Sequence, residues 1–336
     1  MPRNGTGQYI APASSWNPGV NGVTAQTADF NALLDDLEAG LSQSVSSDGQ
    51  TPMTGNLPMG NNKITGLANG TANTDAAALG QVVRNIGQCR LTKSGSNLLL
   101  SPYQGNQLAI NGALYTIPSA GVTLAPGSVT PSTLYYIYAY MVGATMTLEA
   151  VTTGHSTDIN TGVEIKTGDA TRTLVGMARP IAGPLWQDTF NQRFVVSWFN
   201  RKPVEMRAVL ASNQAVANAT YGEISSTLRL EFLQWLGESA QFNFQGSMTG
   251  GTGGAVFSTQ LSYDSVTSTS ESYSDMQAYT AGAFLNPACN LVATASATEG
   301  YHLVTPLARQ SGGATATYIG SGTSGARCVT NGIVPV

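Results

Sequence analysis

The stretch STLYYIYAYMVGATMTLEAV, residues 132–151, sets the fold class. Tyr136, Tyr138 and Tyr140 recur at every second position, with Ile137 and Met141 on the opposite face. Period two is the signature of a strand, and aromatic and β-branched side chains suit its pleated surface. Val142-Gly143-Ala144 interrupts the pattern and Thr145–Val151 resumes it, which predicts a hairpin. The neighbours read the same way. LTKSGSNLLLSPYQGNQLAINGALYTI (91–117) holds short runs joined by Ser-Gly, Gln-Gly-Asn and Asn-Gly, the last a strong hairpin signal. VEIKTGDATRTLVGMARPI (163–181) passes through a Gly-Asp turn, and RFVVSWFNRKP (193–203) is a strand closed by Pro203.

Beyond this middle β domain, assigned to 88–205, a second β region runs over 206–336. In YGEISSTLRLEFLQW, Leu228, Leu230 and Phe232 face one way while Arg229 and Glu231 face the other; Phe242 and Phe244 share a face of AQFNFQGSMT. Further short strands follow in EGYHLVTPLARQ, TATYIG and RCVTNGIVPV. Many short strands separated by turns predict a jelly-roll-like sandwich.

Composition agrees with a mainly β chain. Of 336 residues only 10% are charged, against the usual quarter, while Gly numbers 38 and Tyr 13. Apolar content of 42% excludes a disordered composition. Residues 94–148 form a run of 55 with no charge at all. Two readings fit it: a β domain covered by Thr, Ser and Tyr, or a subunit packed against copies of itself. Net charge is −4 with basic residues scattered singly, so the clustered cations of a nucleic-acid interface are missing. No apolar stretch reaches the length of a membrane span. MPRNGTGQYIAPASSW lacks an apolar signal-peptide region, from which synthesis and folding in a cytoplasm are expected. Cys89, Cys289 and Cys328 are too few and too dispersed for a disulfide framework or zinc site.

Toward the N-terminus the character changes. Residues 1–24 are rich in Gly, Pro and Asn and read either as a disordered tail or as an arm that orders on a partner, for which Tyr9, Ile10 and Trp16 would be the anchors. TADFNALLDDLEAGLSQSV (27–45) is the best helix, with Thr27 as N-cap and Asp29 in the first turn. Phe30, Leu34, Leu37 and Leu41 are spaced 4, 3, 4, as in a coiled-coil seam, although a helix lying on a domain gives the same spacing. In MTGNLPMGNNKITGLANGTANTDAAALGQVV (53–83), Leu57, Met59, Ile64 and Leu67 are single apolar residues between turns, and Leu79 and Val82 sit on a short helix expected after Thr74. So few apolar residues cannot offset the chain entropy of this joint in one copy, so they are expected to share a core with symmetry mates.

Catalytic signals are weak. Only His155 and His302 are present; TTGHSTDIN reads as an exposed loop despite Asp158, and His302 as core or interface packing. The carboxylates Glu223, Glu231, Glu238, Asp264, Glu271, Asp275 and Glu299 read as solvated, and GTGGA (251–255) lacks the lysine and helix of a phosphate cradle. No cofactor, metal site or enzymatic activity is expected.

The order Met59…Asn62-Lys63-Ile64…Leu67…Asp75-Ala76-Ala77 resembles the repeat near the N-terminal end of bacteriophage tail fibre proteins of the short-tailed type. MPRNGTGQY and SDGQTPMTGNLPMG are similar to the virion-attachment ends of such fibres, so the likeness covers about the first 85 residues. One departure is Gln81-Val82, where Tyr-Val is frequent. SWFNR (197–201), TLRLEFLQW and EGYHLVTPL are similar to other fibre segments.

The resemblance implies an elongated homotrimeric fibre, assembled in the bacterial host cytoplasm and carried on the virion tail. It would comprise an attachment arm and helix (1–50), a trimer joint (51–87), the middle β domain and the C-terminal sandwich as receptor-binding tip. Partners would be its own copies, tail tube or adaptor proteins, and a bacterial surface glycan or protein. Tyr263, Tyr273, Tyr279 and Tyr318, in Ser/Thr/Gly-rich segments, are the candidate receptor contacts. The competing readings are a glycan-cutting tailspike, for which no solenoid period exists, and a structural short or head fibre without receptor binding.

Overall fold

A computed structural model describes residues 27–42, 56, 59–60, 64–66, 87–267, 272–293, 298–311, 313–320 and 327–336. The chain divides into two units, up to Asn69 and from Gly70 onward. In the first, the expected helix spans Thr27–Ser42. Phe30, Leu34 and Leu37 along its seam are exposed, as is Ile64, and Met59 is half-buried. Leu41 belongs to the helix, but its side chain lies outside the described residues, as do Tyr9, Ile10, Trp16, Leu57, Leu67, Leu79 and Val82.

The second unit is built around the hairpin of Tyr135–Val142 and Thr145–Val151, closed at Gly143 with φ 59°. Asp169–Ala178 pairs with the other edge of Tyr135–Val142, and Glu164–Lys166, His155–Thr157 and Val195–Ser197 complete a six-stranded sheet. Both faces of this sheet are buried. Ile137, Ala139 and Val175 join one core with Leu98, Leu100 and Trp186; Tyr138, Leu174, Met177 and Val196 join another. The buried Tyr138 hydroxyl donates to the Thr153 carbonyl at 3.0 Å, which removes the cost of an unpaired polar group.

On the first face lie the hairpin Cys89–Ser94/Asn97–Pro102, Val122–Leu124, and the small hairpin Gln107–Ile110/Ala113–Thr116. The latter turns at Asn111 (φ 50°) and Gly112 (φ 73°), the left-handed pair a two-residue hairpin needs. Strand Asp169–Ala178 carries a register shift between Leu174 and Gly176. A Cβ on Gly176 would stand 2.5 Å from both Leu91 Cδ2 and the Val196 carbonyl oxygen, so this crossing requires glycine.

On the second face lies the C-terminal region. One sheet runs Gln192–Arg193, Leu230–Gln234, Gly300–Gln310, Val256–Tyr263, Ser272–Gln277, with the first pair parallel; a second runs Pro203–Val209, Val329–Pro335, Ala240–Gln245, Ala288–Ala293. Their inner faces meet in a β-sandwich, with the rings of Phe232 and Phe242 5.1 Å apart. The expected alternation holds over Leu230–Phe232 and Ala240–Gln245, whereas Leu228, also buried, closes the short 3-10 helix Ser226–Leu228, and Leu233, Gln234 and Trp235 are buried in succession. A third sheet joins Gln214–Val216, Ala316–Tyr318, Met248–Gly250 and Phe284–Leu285.

The domain boundary expected at 205/206 falls inside strand Pro203–Val209, which pairs along its whole length with Val329–Pro335. Tyr138 and Met177 share a core with Phe232 and Val334, so packing is continuous across that position. Turn chemistry changes there, but burial is decided by pairing across more than a hundred residues. Gly176→Ala should lower unfolding free energy by about 1–3 kcal/mol in urea melts, the range for overpacking. Gly143→Asn, in an open left-handed turn, should cost about 1 kcal/mol or less.

Candidate functional site

The four candidate receptor tyrosines separate by burial. Tyr318 is 1% exposed and its hydroxyl bonds to Thr259 Oγ1 at 2.6 Å, so it is a core residue rather than a receptor contact. Tyr263 is also packed: its ring stacks on His302 at 5.1 Å, and its hydroxyl donates to Gln234 Oε1. Tyr273 and Tyr279 are exposed, at 64% and 86%. His302 is buried as expected, with Nδ1 2.7 Å from Asp264 Oδ2 and Nε2 3.2 Å from the Thr298 carbonyl oxygen.

His155 differs from its sequence reading. It opens strand His155–Thr157 and is half-buried rather than in an exposed loop. Asp158 turns away to accept from Thr161 Oγ1 at 2.6 Å. His155 Nδ1 lies 2.6 Å from Glu164 Oε2, while Nε2 lies 3.3 Å from each oxygen of Glu299. Tyr136 donates to Glu299 Oε1 at 2.7 Å, and Thr157 donates to Glu164. The rings of Tyr136, Trp198 and Trp235 surround the imidazole at 5.6 to 5.7 Å. Arg201 lies over Trp198 and pairs with Glu238 at 2.9 Å.

Electrostatics follow from this geometry. The hydrogen bond to Glu299 outweighs burial and, with Glu164, raises the His155 pKa above its ordinary 6.5. Burial would push Glu299 up, but hydrogen bonds from His155 and Tyr136 hold it below its usual range. Glu238 is raised, mainly by burial. Both imidazole nitrogens face carboxylates, and the carboxylates turn onto the ring instead of opposing each other across open space. The arrangement is a clasp: Tyr136, His155 and Glu164 come from the middle region, Trp235 and Glu299 from the C-terminal one. Glu164 is legible nine residues along a hairpin; Glu299, 144 residues away, is not.

A second feature covers the outer face of the four-stranded sheet. Register places Arg207, Asn331, Asn243 and Asn290 in one row across its four strands. Asn331 Nδ2 donates to Asn243 Oδ1 at 3.2 Å. Gln241 and Gln245 flank the row on Asn243's strand, and the face forms a depression of about 750 Å³. A second depression of about 460 Å³ joins the same edge strand, Ala288–Ala293, to the exposed Tyr273. Alternation in QFNFQ signals one strand of this face; the row itself needs the register. Among the described residues, no group of three or more His, Cys, Asp or Glu could hold a metal ion.

The clasp predicts a particular pH dependence. A raised histidine pKa contributes stability that is complete below about 6.5 and is lost as pH rises through the folded value; the lowered Glu299 contributes above about 4.5. His155→Gln should therefore cost about 2 kcal/mol near pH 6, between exposed and buried pairs. The gap to wild type should narrow in thermal or urea melts as pH rises from 6.5 through the raised folded value. A gap independent of pH would show that His155 is neutral in the fold.

No family model matches the chain, and no curated protein matches it. Solved structures give distant likenesses. The Bacillus thuringiensis delta-endotoxin Cry8Ea1 aligns at 9% identity and TM-score 0.24, over 74% of this chain and 52% of that one. The infectious bursal disease virus VP2 subviral particle aligns at 12% and 0.24, over 62% of each chain. The T13 particle of that virus aligns at 13% and 0.25, over 63% of this chain and 61% of that one. This chain thus spans about half the length of the toxin, and TM-scores this low carry no argument about function.

Proposed function

We propose that the chain is a bacteriophage tail fibre, a homotrimeric virion protein without enzymatic activity. Its N-terminus docks on tail or adaptor proteins and its C-terminal β region contacts the bacterial surface. The observation that carries this reading is the ordered motif from Met59 to Ala77, placed between a short seam helix and a large β body. Exposure of Phe30, Leu34, Leu37 and Ile64 supports the trimer, because apolar side chains in one row on a short helix gain from burial against copies. Closure of the His155 cluster on itself supports a non-enzymatic protein.

Light scattering on the purified protein should return three times the chain mass, and a stable single-chain mass would overturn the assembly. Phe30→Ser, Leu34→Ser and Leu37→Ser should weaken it progressively, each buried side chain contributing about 1.5–3 kcal/mol. Incubation with host capsule or lipopolysaccharide should leave chain lengths unchanged. Shortened chains would move the reading to a depolymerase.

A further inference from the structure

The amide row on the outer sheet face has a cost that packing does not explain. Asparagine is disfavoured in strands, yet three paired strands each place one in the same row: Asn243, Asn290 and Asn331. Threonine would serve a merely solvated face better. Strands are spaced about 4.8 Å apart, so the row from Arg207 to Asn290 runs about 14 Å. Each asparagine carries both donors and acceptors, of which the Asn331–Asn243 bond takes one of each. Among the described residues, the charges lining this depression are Arg207 and Glu205, two residues apart on one strand and opposite in sign, with Arg327 at the adjoining depression. At the far end stands the exposed ring of Tyr273.

We infer that this face binds an uncharged oligosaccharide, lying along Arg207, Asn331, Asn243 and Asn290 and ending against Tyr273. A hydroxyl is itself donor and acceptor, so a row of amides matches a row of hydroxyls whichever way each is oriented. An uncharged ligand is favoured because Glu205 and Arg207 balance within the depression that holds the row. The depression falls within the volume range of ligand sites, and its central row is of amides, with the exposed Ile333 and Val292 in the next row rather than at the centre, unlike the apolar core of a protein interface. One edge aromatic gives modest affinity per copy, which a multimeric fibre raises through avidity. The inference rests on the receptor-binding reading above.

The test uses the full chain on a printed array of bacterial O-antigen and capsule oligosaccharides, followed by titration of the strongest binder. Wild type should bind at least one neutral glycan. The triple variant Asn243→Thr, Asn290→Thr, Asn331→Thr should lose at least tenfold in affinity while melting at the same temperature or higher. Asn290→Thr alone, on the edge strand, should lose part of the affinity and provides a second reading if the triple variant folds poorly. Ile159→Ser, at an exposed turn outside any proposed contact, should change nothing.

Retained binding in the variants, binding to acidic glycans alone, or no neutral binder would overturn the inference. So would a change of mass in solution, which would assign the face to contacts between copies. Phage carrying the triple variant that still adsorb, where phage lacking the protein do not, would reject this face and leave the receptor role standing. Adsorption without the protein would reject both.

Discussion

Burial of the central sheet on both faces is the constraint from which the rest of the second unit follows. Antiparallel sheets commonly keep one face wet, which lets charged residues alternate with apolar ones. Strand Tyr135–Val142 has little such freedom, because Tyr136 and Tyr138 enter one core and Tyr135, Ile137, Ala139 and Met141 the other, while Tyr140 carries the Arg172 guanidinium and Val142 at the strand end is exposed. Over Tyr135–Ala139 its sequence must therefore be apolar or aromatic, and any polar atom it carries there needs a partner, as the Tyr138 hydroxyl has. The uncharged run over residues 94–148 has part of its explanation here, within one copy of the chain. The crossing at Gly176 shows how little slack remains where the layers meet.

Several of the few charges in this molecule stand where the middle strands meet the C-terminal sandwich. Glu299 takes His155 and Tyr136, Glu231 takes Tyr301 and Gln192, and the Arg179 guanidinium lies 4.0 Å from the centre of the Tyr301 ring. Each such link is modest in net energy, because partly exposed ions give up hydration to form it. Their value is directional. Apolar packing tolerates sliding of one sheet over another, whereas a carboxylate held by an imidazole and a phenol accepts one register.

Much of this body is legible in the sequence, because strands announce themselves locally. Period-two alternation locates Tyr135–Val142 and Ala240–Gln245, while Gly143 and, in the small hairpin Gln107–Ile110/Ala113–Thr116, Asn111-Gly112 mark turns by conformational need. What sequence does not disclose is pairing at long range. Nothing near residue 203 announces that Pro203–Val209 will pair with Val329–Pro335, so a change in composition there reads as a domain boundary. The same limit hides both parts of the candidate site. His155 meets Glu299, and Asn243 joins Asn290 and Asn331, only after the sheets are assembled. Tyr318 errs in the other direction: its Gly-rich surroundings suggest a loop, yet its ring fills the core.

The continuous core has a consequence for exchange of parts between related chains. A recombination junction at residue 206 would split a paired strand and expose Tyr138, Met177 and Val196 to a foreign surface. Hybrids joined there would have to rebuild an interior, which few sequence pairs can do. Junctions placed before Cys89, the first residue of the first strand in the body, transfer that whole interior intact. The body from Cys89 onward is therefore inherited as one indivisible block, without a detachable C-terminal piece.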